Sequence, residues 1–361
     1  MRKGVLSMEI RVDKVFVGKA KPDMSTVAFG TYFTDHMFLM DYDPENGWHD
    51  ARIVPYGPLQ IYPSSTIIQY ASEVFEGLKA YRTPDGEVQL FRPDENAKRM
   101  NNSAERMALP TMPVEMQIEA MKAIVEVDKD WVPSGDGQSL YLRPYMFAND
   151  LDIALHPYKK VVYGIIACPV GSYFPGGLKP APLMLEMDDV RAVRGGTGFA
   201  KCGGNYAGAM HAGKNADDKG YSQVLWIDGV ERKYVEEAGG MNVMFKIDGK
   251  IVTPQLNGSV LPGITRKSAI ELLKSQGWEV EERLVPVTEL LEGIKSGAVE
   301  EAWMIGTAAV VCPIGEFAYD GESYIVNNGE IGETTQKLYD DLTAIQWGKA
   351  EDKFGWTVKV D

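Results

Sequence analysis

A stretch rich in proline and glycine near the middle of the chain limits how the chain can fold. This stretch, GSYFPGGLKPAP at residues 171–182, fits neither a helix nor a strand. The whole chain has 361 residues, which is more than one hydrophobic core usually organises. We therefore predict a smaller N-terminal domain over residues 1–170, an interdomain linker at 171–182 and a larger C-terminal domain over residues 183–361.

Strand and helix signals occur in both predicted domains. In the first, extended stretches are followed by a TPDG turn between two strand-like runs. A helix is predicted to begin at Asp94 as its N-cap, and another to cover residues 114–130. In the second, KYVEEAGGMNVMFKIDGKIVTP gives hairpin signals, whereas LPGITRKSAIELLKSQG and TQKLYDDLTAIQWGK are typical of helices. The pattern predicts a mixed α+β fold.

The composition excludes several classes of partner. The chain holds 51 acidic and 37 basic residues, for a formal net charge of −14, which disfavours nonspecific binding to nucleic acid or to anionic membranes. The apolar run VVYGIIACPV is too short to span a bilayer and predicts a buried strand. Three scattered cysteines do not resemble a secreted disulfide framework, so we expect a cytoplasmic protein. Four histidines without metal-ligand spacing predict no metal site.

One lysine lies between glycine pairs and small residues in RGGTGFAKCGGNYAG, residues 194–208. Glycines allow sharp turns and close approach of a ligand, and a crowded, sparsely charged setting lowers the pKa of an amine. Such a neutral lysine, Lys201, condenses with an aldehyde, as in enzymes that hold pyridoxal phosphate as a Schiff base. Most lysines in glycine-rich loops are nevertheless solvated and inert, so this interpretation needs partners elsewhere in the chain.

Several other positions are candidates for binding an anion. Arg99 on the first predicted helix can hold a phosphate, although helical arginines are usually solvated or salt-bridged. Arg143 shares one strand face with Tyr141 and Tyr145 by its period of two, which suggests a carboxylate site or a buried structural arginine. The first backbone N–H groups of LPGITR, at Ile264 and Thr265, offer a helix N-terminus, a feature that every helix has.

Some residue types remain ambiguous on spacing alone. The aromatic residues Tyr70, Phe75 and Tyr81 lie close in sequence and predict either ordinary core or a substrate pocket. The adjacent Glu236 and Glu237 precede AGG, and adjacent glutamates are usually exposed, so neither is singled out.

Three blocks in the order GGTGFAKCGGNYAG, EEAGGMNVMF and LPGITR resemble the class IV aminotransferases, which are fold-type IV pyridoxal-phosphate enzymes. FGTYFTDHM, YASEVFEGLKAYR, LFRPDENAKRM, LYLRPYMF and IGTAAVVCPIGE extend this likeness to the branched-chain amino acid aminotransferases along almost the whole chain. The resemblance implies reversible transfer of the amino group of leucine, isoleucine or valine to 2-oxoglutarate. Alternatives are a D-amino-acid aminotransferase, an aminodeoxychorismate lyase or a noncatalytic phosphate-ligand binding protein.

The resemblance also implies roles toward the cofactor, pyridoxal 5′-phosphate. Lys201 would be the Schiff-base lysine and the proton shuttle, Glu237 would pair with the pyridine nitrogen, and Tyr206 would bind the ring oxygen. The residues expected around the phosphate are Arg99, the backbone of Ile264 and Thr265, and Thr307.

For the substrate, the resemblance implies an apolar pocket, a carboxylate site and a loop from a second subunit. The pocket would be lined by Phe29, Tyr70, Phe75, Tyr141 and Tyr173. Arg143 and the turn Gly306-Thr307-Ala308 would help to hold the substrate carboxylate, particularly the second carboxylate of glutamate. Ile153 and Leu155 would lie on the loop that closes the partner's pocket, which implies a homodimer.

Two positions depart from the animal members of this family. Gly240 stands where those relatives have threonine, so a polar contact with substrate is in doubt there. The relatives also carry a redox CxxC after the GTA turn, whereas the corresponding tetrad here begins with Ala309 and ends with Cys312. A single cysteine cannot close that disulfide.

Overall fold

The computed structural model describes residues 8–173 and 176–360. Its contacts divide the chain into two compact units. Unit 1 consists of Met1–Tyr173, Ala200–Gly203 and Ile345–Asp361, and unit 2 consists of Phe174–Phe199 and Gly204–Ala344. The predicted C-terminal domain included two segments that fall in unit 1, namely the short loop with Lys201 and the C-terminal residues from Ile345 onward.

Residues 8–170, the described part of the chain before the predicted linker, form eight strands and three helices. The strands are β1 (Arg11–Val12), β2 (His36–Asp43), β3 (Gly47–Pro55), β4 (Glu73–Phe75), β5 (Leu78–Arg82), β6 (Val88–Phe91), β7 (Ser139–Ala148) and β8 (Val161–Val170). The helices are α1 (Thr66–Tyr70), α2 (Pro93–Arg106) and α3 (Val114–Val127), followed by a 3-10 turn at Lys129–Trp131.

The remaining elements follow in the second half of the chain. The strands are β9 (Ala181–Glu186), β10 (Gln223–Ile227), β11 (Val235–Ala238), β12 (Met241–Ile247), β13 (Lys250–Pro254), β14 (Val280–Arg283), β15 (Val299–Gly306), β16 (Val310–Tyr319), β17 (Glu322–Ile325) and β18 (Thr357–Val360). The helices are α4 (Gly203–Gly208), α5 (Met210–Asp218), α6 (Ile264–Ser275), α7 (Val287–Ser296) and α8 (Glu333–Gln346), with a 3-10 turn at Asn327–Gly329.

Unit 1 is built on a sheet with the strand order β1-β3-β2-β8-β7-β5-β6-β18, and β4 also pairs with β7. The pairs in this sheet are antiparallel except for β1 with β3. The predicted buried strand VVYGIIACPV is β8, which pairs with β7 along its whole length. The C-terminal strand β18 completes one edge by pairing with β6.

One face of this sheet forms the core of unit 1 with helices α2 and α3. Leu78 and Leu142 of the sheet pack in one cluster with Met100 of α2 and Ile124 of α3. Because successive side chains of a strand point to opposite faces, Tyr141, Arg143 and Tyr145 share the other face, as predicted. The core packing thus fixes which residues of β4 and β7 are presented on the opposite face.

Unit 2 is built on a second sheet with the order β11-β10-β9-β16-β15-β12-β13-β14, in which β17 pairs with β16 and β11 also pairs with β12. This sheet mixes parallel and antiparallel pairs, since β9 is parallel to both β10 and β16. Its core includes Leu225, Phe245, Met304 and Phe317, all fully or almost fully buried. The described residues contain no helix long and apolar enough to cross a membrane.

The start of α2 differs from the prediction. Asp94 was expected to be the N-cap, but the helix begins at Pro93, and the capping residue is Arg92 in the left-handed conformation with φ of 50°. Proline is well suited to the first helical position because its N–H would be unpaired there in any case. Asp94 therefore lies in the first turn, where its negative charge interacts favourably with the helix dipole.

Candidate active site

The backbone of Lys201 is fixed within unit 1 by hydrogen bonds on both sides. Its N–H donates to Ser103 Oγ of α2 at 2.9 Å, and its carbonyl accepts from the N–H of Phe75 in β4 at 2.9 Å. The next residue, Cys202, forms a bridge with Val74 and is buried in the core of the unit. The lysine backbone is therefore held in place, and the flexible part of the residue is its four-carbon side chain.

Phe75 brings two cationic side chains together. Lys201 Nζ lies 4.9 Å from the centroid of the Phe75 ring, and Arg143 Cζ lies 4.7 Å from the same centroid. Arg143 also donates from Nη2 to the Tyr141 hydroxyl at 3.3 Å, while Phe29 packs edge-on against the Tyr141 ring at 4.9 Å. Five residues named from the sequence therefore form one continuous cluster in unit 1.

Arg143 carries an unsatisfied hydrogen-bond donor in this cluster. Its Nε is buried without a hydrogen-bond partner in the described structure, although the guanidinium contacts two aromatic rings. A buried donor without an acceptor is costly, and a carboxylate is the natural partner of a guanidinium. A carboxylate bound beside Arg143 would satisfy this donor.

Arg99 is buried and paired with a glutamate that the sequence reasoning missed. Its Nε and Nη2 each donate to one carboxylate oxygen of Glu76 at 2.8 Å, and Asn96 donates to the same carboxylate at 2.7 Å. Both charged side chains are almost completely inaccessible. Glu76 therefore fixes the plane of the Arg99 guanidinium. Asn96 and Arg99 lie three residues apart on one helix face, and that spacing was the available signal.

The other expected pocket residues of unit 1 lie on its surface. Tyr70 donates from its hydroxyl to the carbonyl of Ile153 at 2.7 Å. Exposed fractions are large for Ile153 at 68% and Leu155 at 79%, and Tyr173 is also exposed. Tyr81 does not join this group, because it is buried and packs against the Trp347 ring at 4.6 Å.

Glu237 of unit 2 is buried and held by three groups. One carboxylate oxygen accepts from the Leu261 N–H at 2.7 Å and from Asn242 Nδ2 at 3.1 Å. The other lies 2.7 Å from Arg191 Nε, although the N–H bond is not aligned for a hydrogen bond. These contacts favour the ionised carboxylate. Arg191 and Asn242 were missed from the sequence because neither is adjacent to Glu237 along the chain.

The neighbouring Glu236 is buried too, so the expectation that adjacent glutamates are exposed is wrong here. Its carboxylate accepts from Ser259 Oγ and from Asn257 Nδ2, the latter at 3.2 Å. The two glutamates thus have separate sets of partners, as alternation along the strand β11 requires.

Tyr206 lies on the short helix α4, and its ring lies near Gly240. A methyl group added at Gly240 would stand 3.7 Å from Tyr206 Cε1, which is an ordinary van der Waals distance. A methyl group could therefore be added at Gly240 without crowding the Tyr206 ring.

The helix α6 begins at Ile264 and Thr265 as predicted, and no described side chain caps it. The preceding Gly263 packs tightly on Asn242, since an added methyl group would overlap Asn242 Oδ1. Asn242 also donates to the Leu261 carbonyl at 2.9 Å and to Glu237. One amide therefore links the buried Glu237 to the loop that starts the helix.

The predicted strand-like run around Thr307 is a hairpin in which β15 and β16 are joined by Thr307, Ala308 and Ala309. The turn ends at Val310, whose φ is 63°. A β-branched residue in the left-handed region is strained and is retained only where the surroundings determine it. The packing around the buried Val310 therefore holds it in this conformation, at the end of the turn that was expected to hold phosphate and carboxylate.

One cavity of unit 2, of about 780 Å³, shares none of these residues. It is lined mainly by polar and acidic side chains, including Glu186, Asp188, Asp189 and Asp320. Among the described residues no cluster of His, Cys, Asp or Glu is arranged to hold a metal ion.

Unit 1 therefore holds a lysine fixed by its backbone, and unit 2 holds a buried carboxylate beside an arginine. Residues 73–317 match the family Amino-transferase class IV. The chain belongs to this family, and the predicted mixed α+β, fold-type IV architecture is confirmed.

Full-length relatives are aminotransferases. The chain is 51% identical over 359 residues to a probable branched-chain-amino-acid aminotransferase of Staphylococcus aureus, covering 98% of this chain and 99% of the relative. It is 49% identical over 354 residues to branched-chain-amino-acid aminotransferase 2 of Bacillus subtilis, covering 97% of each.

Solved structures agree with this assignment. The branched-chain amino acid aminotransferase of Escherichia coli matches with a TM-score of 0.76 at 27% identity, over 91% of this chain and 99% of that one. The T.th. branched-chain amino acid aminotransferase solved with pyridoxamine 5′-phosphate matches with a TM-score of 0.76 at 26% identity, over 90% and 98% of the two chains.

Proposed function

We propose that this chain is a branched-chain-amino-acid aminotransferase that reversibly transfers the amino group of leucine, isoleucine or valine to 2-oxoglutarate. The observation that carries the proposal is the near-complete match, at about half identity, to enzymes of that name. The cluster of Lys201, Phe75 and Arg143 in unit 1 supports it, because it places an amine, an apolar ring and a guanidinium together.

The residues present fit pyridoxal 5′-phosphate. In unit 2, the buried Glu237 offers an ionised carboxylate to a ring nitrogen, and the N-terminus of α6 offers backbone N–H groups to a phosphate. In unit 1, the guanidinium of Arg99 is oriented by Glu76. Bound pyridoxal phosphate supplies an electron sink for the pair left when the substrate Cα loses its proton.

Lys201 is assigned the proton transfer. Its Nζ would take up the proton that the substrate Cα loses and hold it for return, a role that needs an amine able to move between two positions. The fixed backbone limits the reach of that amine to the motion of one flexible side chain. The Phe75 ring covers one side of Nζ with apolar surface, which helps to exclude water from the position of the transferred proton.

Glu237 is assigned the control of the cofactor's charge. Its carboxylate would favour the protonated form of a ring nitrogen bound beside it, and a protonated ring would be a better electron acceptor. Arg191 beside the carboxylate and the donors Asn242 and Leu261 stabilise the negative charge of Glu237. Tyr206 is assigned the ring oxygen, and Thr307 with the backbone of Ile264 and Thr265 the phosphate.

The substrate side chain is assigned to the aromatic cluster. Phe29, Phe75 and Tyr141 supply apolar surface for a branched side chain, while Arg143 with Ala308 supplies partners for carboxylates. The exposure of Phe29 at 50%, with Ile153, Leu155, Tyr70 and Tyr173, leaves apolar surface for a second subunit to cover. We propose a homodimer in which Ile153 and Leu155 close the partner's pocket, and a cytoplasmic location.

The purified protein tests this function directly. It is expected to be yellow, and borohydride is expected to fix the cofactor to the peptide that contains Lys201. A panel of both enantiomers of leucine, isoleucine and valine with 2-oxoglutarate is expected to give turnover with the L-forms. Turnover with D-amino acids alone, or loss of the amino group as ammonia, would instead support a different enzyme of the same fold.

We expect turnover to be insensitive to mild disulfide-forming oxidants. Ala309 replaces the first cysteine of the redox pair, and Cys168, Cys202 and Cys312 are all free and buried. Burial raises the pKa of Cys312 to about 12 and that of Cys168 to about 11, which keeps both as unreactive thiols. Activity is compared before and after diamide, with mass spectrometry of the intact chain. Reversible inactivation with a Cys202–Cys312 bridge would contradict this expectation.

Gly263→Ala is expected to weaken cofactor retention about tenfold or more. The added methyl group overlaps Asn242 Oδ1, so the amide that links Glu237 to the start of α6 must move, at a cost of about 1–3 kcal/mol. Dialysis against phosphate followed by absorbance of the retained cofactor measures the loss. Gly213→Ala is the matched control, because nothing lies near its added methyl group. Equal retention in both variants would argue against a role for this loop.

A further inference from the structure

Glu73 is a half-buried carboxylate to which the proposed mechanism gives no role. Burial raises its pKa, and the guanidinium of Arg143 partly opposes that rise. Its side chain reaches the loop of Lys201, since a methyl group added at Gly203 would overlap Glu73 Oε1. Within residues 8–173 and 176–360 we find no hydrogen bond or ion pair made by this carboxylate. A partly desolvated carboxylate without a hydrogen-bond partner costs free energy. Such groups are often found at functional sites.

The sheet register places Glu73 on the same face as the substrate cluster. Glu73 pairs with Phe147, and Phe75 pairs with Tyr145, so Glu73 and Phe75 point to the same face as Tyr145. Arg143 lies two residues from Tyr145 on β7 and therefore shares that face, where its guanidinium covers the Phe75 ring. The carboxylate of Glu73 and the guanidinium of Arg143 thus lie on the sheet face that carries the Phe75 ring.

An aminotransferase of the proposed kind has to accept two unlike side chains at one site. A branched apolar side chain brings no anion to the Arg143 guanidinium, which is partly buried and has one buried donor without an acceptor. The second carboxylate of glutamate or 2-oxoglutarate supplies that anion instead. The site therefore needs an anionic group that balances the Arg143 guanidinium while the apolar substrate is bound. The same group has to give up this interaction when the acidic substrate binds.

We propose that Glu73 is this anionic group, and that it sets the preference of the site between apolar and acidic substrates by competing for Arg143. With an apolar substrate, Glu73 and the rings of Phe75 and Tyr141 balance the guanidinium. With an acidic substrate, Arg143 binds the substrate carboxylate, and Glu73 then repels that carboxylate. Glu73 thus lowers the affinity for glutamate and 2-oxoglutarate and protects the affinity for leucine. The assignment rests on the proposed function.

Glu73→Gln tests the proposal, because it removes the charge and keeps the shape. The KM for 2-oxoglutarate and for glutamate is expected to fall about fivefold, while the KM for leucine stays the same or rises. The two half-reactions are measured separately by single-turnover absorbance, so that each substrate is read independently. Glu87→Gln, at an exposed residue beside the TPDG turn, makes the same change in net charge and is expected to alter neither KM.

The coupling to Arg143 gives a second readout that a purely structural role would not change. In an Arg143→Gln background, Glu73→Gln is expected to have no further effect on the KM for 2-oxoglutarate. Equal changes for both substrates, or an undiminished effect without Arg143, would overturn the proposal. If Glu73→Gln does not fold, Glu73→Ser is measured against the same outcomes. Absence of leucine turnover in the unmodified enzyme would instead contradict the proposed function.

Discussion

Lys201→Ala is expected to lower turnover of leucine by at least about ten-thousand-fold. The substitution removes both the covalent partner of the cofactor and the base that moves the proton, and general acid–base catalysis alone contributes about 10²–10⁴-fold. Cofactor binding is expected to survive in part, since Arg99, Glu237 and the start of α6 are unchanged. Single-turnover absorbance with leucine, after reconstitution with pyridoxal phosphate, measures the loss.

The structure provides a control for this substitution. Lys98 is an exposed lysine of α2 that pairs with Asp94 and Glu95, and exposed pairs of this kind contribute little. Lys98→Ala is therefore expected to retain full activity. Near-normal transamination by Lys201→Ala without added amines would show that another group performs the proton transfer.

Glu237→Gln is expected to slow the chemical step of the leucine half-reaction about a hundred- to a thousand-fold, corresponding to about 3–4 kcal/mol of lost stabilisation. The amide keeps the shape of the carboxylate but cannot hold a proton on the ring nitrogen by charge, so the electron sink is weaker. It also leaves the buried Arg191 without its anionic partner. Stopped-flow spectra separate loss of cofactor from slow chemistry.

Glu236→Gln is the matched comparison, because Glu236 is adjacent and equally buried. Its carboxylate holds Ser259 and Asn257, so the amide variant is expected to lose some thermal stability and little catalytic rate. The comparison thus separates the removal of a buried charge from the removal of the charge that acts on the cofactor. A larger chemical defect in Glu236→Gln would reverse the assignment of the two glutamates.

The features that could be predicted from the sequence are local ones. The spacing of Tyr141, Arg143 and Tyr145 predicted that their side chains lie on one face of a strand, because every second side chain of a strand points to the same side. The Pro-Gly sequence before Ile264 predicted the start of α6. The N-cap of α2 was predicted wrongly from local signals. An aspartate such as Asp94 is a more usual cap than an arginine, and a positive φ at an arginine such as Arg92 is uncommon.

The partners of the site residues could not be predicted without the resemblance or the structure. Glu76 and Arg99 are 23 residues apart, and nothing in the intervening sequence indicates that they meet. Arg191 reaches Glu237 from a loop before the lysine stretch, and the two are brought together through the pairing of strands that are distant in sequence. Propensity and periodicity describe one element at a time, whereas these contacts depend on the packing of several.

The pairing of β18 with β6 affects how the chain is made. Domains generally fold as units during synthesis, the N-terminal one first. Here most of unit 1 leaves the ribosome early, yet one side of strand β6 has no partner until residues 357–360 have been translated after all of unit 2. The open edge is a template for pairing with other chains during that interval. We therefore expect a chaperone to matter more for the yield of this enzyme in cells than its stability once folded would indicate.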